Sequence, residues 1–186
     1  MTMPTFAASS LETSPADAVL DVAARLRALG FRADAPRSVG AAALCFVSAE
    51  LAAQPMAMHG ALSDLLGPIP FVAFVGASVF HDQRVPEKRP GLVVLVIDGV
   101  VAEARHAWKS EHAVETAAPL LADGPFATTR FLAVSAPAPG PVDILPALDE
   151  VGGDVVGGVA VRPQRHLLPG VSLLSVSGLR AVIAVS

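Results

Sequence analysis

The chain reads as an α/β fold: an internally duplicated strand, helix, strand, hairpin unit whose mixed β-sheet or sheets are flanked by helices. Three observations lead there. Short apolar runs of strand length alternate with stretches whose apolar residues recur at helical spacing. Asp98-Gly99 sits between two apolar runs, the residue pair that a tight type I′ hairpin favours. The same order of elements then returns in the second half, with glycines and prolines at matching places.

Taken in order, residues 1–13 have no period and predict a loose arm or a short edge strand. Ser14, Pro15 and Asp17 form a helix start, with serine as cap and proline at the first position. Val19, Val22, Leu26 and Leu29 follow at helical spacing, and Gly30 is the stop. Residues 41–47 are continuously apolar, as a strand buried on both faces requires. A helix interrupted or restarted at Pro55 carries Met58, Leu62, Leu65 and Leu66 and ends at Gly67-Pro68. A strand is predicted over 71–75, then a polar loop from His81 to Arg89, then the hairpin of 92–97 and 100–107. The second half gives a helix over 111–121, a strand over 130–134, a helix over 142–151 and strands over 154–161, 171–176 and 180–185.

The 186 residues suit one domain: an arm (1–13), an N-terminal helix and linker (14–40), a first unit (41–108), and a connecting helix with a second unit (109–186). With 53% hydrophobic and 16% charged residues, the chain holds enough apolar surface to offset the entropy of ordering it. No apolar run reaches membrane-spanning length, because residues 91–102 are cut by Asp98 and Gly99. No leader pattern opens the chain and Cys45 is the single cysteine, so the cytoplasm is the expected compartment. A net charge of −4 with dispersed basic residues, one tryptophan and no tyrosine argues against a nucleic-acid partner.

The repeat is explicit in the letters. At a shift of 81, Val75, Gly76, Gln83 and Arg84 fall on Val156, Gly157, Gln164 and Arg165. With two residues fewer in the second loop, Pro90, Gly91, Leu95 and Gly99 fall on Pro169, Gly170, Leu174 and Gly178. Two such units are expected to meet about a pseudo-twofold axis.

The segments Ala41 to Ser48, Val75-Gly76-Ala77-Ser78, Asp154 to Ala160 with its double glycine, and Gly170 to Leu174 cover most of the chain. Together they resemble the N-terminal half of a FIST domain, named for F-box and intracellular signal transduction proteins. Where that family continues with Gly-Glu after its first glycine segment, Phe80 and His81 stand here. The resemblance implies a sensory domain for small ligands, amino acids being the proposed class, normally followed by a second FIST half.

The chemistry-bearing candidates are few. Gly76, Ala77 and Ser78 close a strand, where open α/β sheets place their ligands. Ser78 as a hydrolase nucleophile, with a loop histidine such as His81, lacks the second glycine and following helix of a nucleophile elbow. Gly157 and Gly158 permit a close backbone approach, either for an anion or for a neighbouring strand. Arg84 and Arg165 lie in matching loops with the reach to fork a carboxylate, or else to cover the sheet ends. The five histidines show no metal-ligand spacing and read as surface or capping residues, and Cys45 as a small buried hydrophobe. The expected function is thus a sensory module for a small metabolite, without a cofactor or metal and not an enzyme. The alternative is a protein-interaction scaffold. Residues 180–186 end the chain as an apolar strand with an open edge, which calls for a homo-oligomer or a second FIST half to cover it.

Overall fold

A computed structural model describes residues 5–37, 39–76, 89–109, 112–121, 130–137, 154–160, 167–168 and 170–178. The first element is β1 (Thr5–Ser10), an edge strand, so the N-terminal segment is the second of its two expected forms. Helix α1 (Pro15–Ala28) starts as its cap residues dictate: the Asp17 amide donates to Ser14 Oγ at 3.1 Å, and the Ser14 hydroxyl donates to the Asp17 carboxylate at 2.6 Å. Gly30, at φ 89°, turns the chain out of the helix. Then come β2 (Ala41–Ser48), a 3-10 turn (Leu51–Ala53), α2 (Pro55–Leu66), β3 (Phe71–Gly76) and β4 (Leu92–Asp98). The second half holds β5 (Val101–Ala107), α3 (Ala113–Leu121), β6 (Arg130–Pro137), β7 (Asp154–Ala160) and β8 (Val171–Ser177). The helix expected over 142–151 and the strand over 180–185 lie outside the described residues.

The strands form two four-stranded sheets, ordered β1-β4-β2-β3 and β5-β8-β6-β7. In each, the first two neighbouring pairs are antiparallel and the third is parallel, so both sheets are mixed and the strand order is the same. Alternation along the strands sorts side chains into layers. On β2, Ala41, Ala43, Cys45 and Val47 face α1 and α2, where they meet the fully buried Leu26, Met58, Leu62 and Leu66. Each such leucine adds about 1.5–3 kcal/mol over leaving it in water. Ala42 and Val72 of the first sheet meet Ala133, Leu174 and Val176 of the second. Leu132, Val134, Val171 and Leu173 face α3 on the far side. The order is helices, sheet, sheet, helix.

Two expectations change. Asp98-Gly99 does not close a hairpin: both edges of β4 are taken, by β1 and β2, and β5 pairs with β8. The Gly99 amide donates to Gly40 O at 2.8 Å, and a φ of 79° at Gly99 carries the chain from one sheet into the other. The boundary between the sheets therefore falls at 98–101, not near 108, and β1 is the counterpart of β5. The landmark match of Gly76 with Gly157 also shifts. When Leu92–Asp98 is laid on Val171–Ser177, the pairings bring Ala41 onto Arg130, Phe71 onto Val155 and Gly76 onto Ala160. Gly76 ends β3, whereas Gly157 lies inside β7.

Candidate functional site

Three polar side chains stand side by side on the second sheet. Cross-strand pairing sets His106 of β5 opposite Ser172 of β8, Ser172 opposite Ser135 of β6, and Ser135 opposite Gly158 of β7. Directly paired residues share a face of the sheet, and this face is the one turned to the first sheet, since the neighbouring Ala133, Leu174 and Val176 lie in the layer between them. His106 Nδ1 and Ser172 Oγ are 3.2 Å apart, and the ring of Trp108 meets that of His106 edge-on at 4.9 Å. Ser135 is 4% exposed, and its hydroxyl meets no hydrogen-bond partner among the described residues.

The same positions in the first sheet are filled differently. There the registers give the row Ser9, Val93, Phe46, Phe74, whose two phenylalanine rings stack at 5.4 Å. A polar row is therefore no requirement of this strand arrangement.

The row borders a cleft of about 440 Å³ between the sheets, well within the size of small-ligand sites. Its apolar wall is Ile69, Phe71, Val72, Leu167 and Leu168, and its polar groups include His59, His106, Ser135 and Ser172. Glu103 and Arg105, also on the lining, are exposed and pair with each other at 2.7 Å. His59 reaches in from α2 against Phe71, ring centroids 5.5 Å apart. Burial pulls the His59 pKa below its ordinary value, and the nearby His106 lowers it further. A wider groove of about 980 Å³ runs between α1 and α2, but its polar groups are charges such as Arg27, Arg32 and Asp64 rather than buried hydroxyls or rings.

Of the residues expected to form the site, Gly158 is brought into register with this polar row, and Gly157 precedes it opposite Val134. Gly76 is exposed at the end of β3, beyond the stretch of that strand that lines the cleft. Ala77, Ser78, His81, Arg84 and Arg165 lie outside the described residues. Sequence reasoning missed His59, His106, Ser135 and Ser172. Their signal is split over one helix and three strands, and the letters alone do not give the pairing that joins them. Cys45 is fully buried against the helices, and loss of water pushes its thiol far above the ordinary pKa. Among the described residues no group of three histidine, cysteine, aspartate or glutamate side chains is placed to hold a metal ion. No described helix is long and apolar enough to cross a membrane.

No family model matches the chain, and no curated protein matches it. Among solved structures it is similar to the crystal structure of cyanuric acid hydrolase from A. caulinodans, with 11% identity and a TM-score of 0.49 over 95% of this chain and 67% of that one. This corrects the expectation that the chain is not an enzyme: the solved chain it matches is a hydrolase, and the exclusion of catalysis is withdrawn. At that TM-score the likeness carries no argument for a particular activity.

Proposed function

We propose that this chain is a cytoplasmic sensory module of the FIST type, which binds a small metabolite carrying a carboxylate in the cleft between its two sheets. One observation carries the reading. Ser135 buries a hydroxyl at the cleft wall with no partner among the described residues. A buried polar group left unpaired costs about 1–3 kcal/mol, so such groups in native folds answer to water or to a ligand. A carboxylate placed there would accept from Ser135 and from the neighbouring Ser172 or His106, and charge-assisted hydrogen bonds are the stronger kind. Gly158 leaves the end of the row free of a side chain.

The test is a thermal-shift screen against amino acids and small carboxylates, repeated on Ser135→Ala. A ligand at about 100 times its Kd adds about 2.7 kcal/mol of stability. For a chain of this size that raises the Tm by roughly 5–10 °C. Ser135→Ala is expected to lose most of the shift while its unliganded Tm stays close to the parent's, because the hydroxyl it removes bonds no described protein group. A screen in which nothing shifts the parent, or a variant that responds as the parent does, rejects the reading.

A further inference from the structure

We propose that the ligand of this cleft is a carboxylate with an apolar body and no ammonium beside its head, and that its binding carries a proton onto His59. The inference rests on the ligand reading above and narrows it. The cleft is divided along its length: Ile69, Phe71, Leu167 and Leu168 offer an apolar bed, while His59, His106, Ser135 and Ser172 gather the polar groups. Ile69 and Leu167 are each at most 5% exposed, so the bed is part of the core and is shaped before any ligand arrives.

Two imidazoles from different elements, α2 and β5, share one small space. Burial, and then the neighbouring His106, disfavour a positive charge on His59. An anion beside His59 acts the other way: it favours the imidazolium. A cationic ammonium at the same place meets the opposite field, which separates a plain carboxylate from the amino acid of the same shape.

The charged groups around His59 support this assignment. Its own helix carries Asp64, which lines the other groove. β3 and residues 67–70 carry no titratable side chain, nor do Leu167 and Leu168. β5 supplies Glu103, Arg105 and His106, of which the first two already neutralise each other. Burial and, after it, His106 thus hold His59 short of a proton, and the ligand is the group that can change this.

The probe is 4-methylvalerate, the desamino form of leucine, titrated calorimetrically against the full chain from pH 6.0 to 8.0 in two buffers of different ionisation enthalpy. Leucine and inorganic phosphate serve as comparison arms. The expected result is tighter binding of 4-methylvalerate at lower pH, approaching tenfold per pH unit where one proton is taken up. Leucine and phosphate bind more weakly at every pH. His59→Gln still binds but loses the pH dependence and the proton uptake. The His59 imidazole of the parent protein, followed by NMR, titrates at higher pH when saturated with the probe, which tests the coupling without any substitution. Binding that is flat with pH, a His59→Gln variant that keeps the slope, or leucine binding more tightly overturns this inference and leaves the ligand reading standing. No binding by any of the three probes at any pH overturns it as well, and the ligand reading is then decided by the wider screen.

Discussion

The guanidinium of Arg37 donates to the carboxylate of Asp98 at 2.6 Å, joining the loop after α1 to the end of β4. The same guanidinium donates to the carbonyls of Arg32, Ala33 and Ala35 and lies 5.5 Å from the ring centroid of Phe31. With side chains 14% and 23% exposed, the two charges are largely shielded from solvent. Asp98 thus serves as an anchor at the point where the chain leaves one sheet for the other.

Arg37→Ala is expected to destabilise the fold by about 3 kcal/mol, because it strands a shielded carboxylate and three loop carbonyls at once. Arg37→Lys recovers a minor part, since an ammonium cannot span that set of acceptors. Urea denaturation of both variants checks the order. A loss below about 1 kcal/mol for alanine, the range of an exposed pair, would show that the anchor is not used.

Gly170 precedes β8 at φ 98°, and a Cβ built there would collide with the Ala107 carbonyl oxygen and come within 2.8 Å of Trp108 Cα. Both obstacles are backbone of the segment that ends β5. Gly170→Ala is therefore expected to cost several kcal/mol, beyond the roughly 1–2 kcal/mol of the left-handed conformation alone. Gly99→Ala, at φ 79° with open space around the added carbon, should cost that conformational part only. Thermal unfolding of the two variants side by side separates crowding from backbone conformation.

Stability should fall on acidification through the histidine range. The folded pKa of His59 lies below its ordinary value of 6.5, so between the two values the unfolded chain binds more protons than the folded one. The stabilising contribution is complete above pH 6.5 and is lost as the pH drops through that value toward the folded pKa. Tm measured from pH 7.5 down to 5.0 should show this decline in the parent and a flatter profile in His59→Gln. Equal slopes for the two proteins would remove His59 as its source.

Local chemistry was legible in the letters where it acts within a few residues. Ser14, Pro15 and Gly30 bound α1 because capping and positive φ are local demands, and the apolar stretches of β2, β4 and β8 are strands because alternation and branching suit a pleated, buried surface. Partnership was not legible. Asp98-Gly99 carries the same two letters whether it folds β5 back on β4 or sends it to another sheet, and the choice belongs to β1, which occupies the edge a hairpin would need. The site failed to show for the same reason. His106, Ser135 and Ser172 are neighbours only through the β5-β8-β6 order, and His59 joins them only because α2 ends beside the start of β3.

The step from Asp98 to Val101 fastens the two layers at one corner. Three residues span at most about 10 Å, and Val100 within the step is wholly buried between the layers. Ala102, one residue beyond the start of β5, already lines the cleft. The two walls of the cleft are therefore tied closest to each other at this corner. For whatever enters the cleft, the spacing of its walls at that end is thus fixed by the length of a three-residue step.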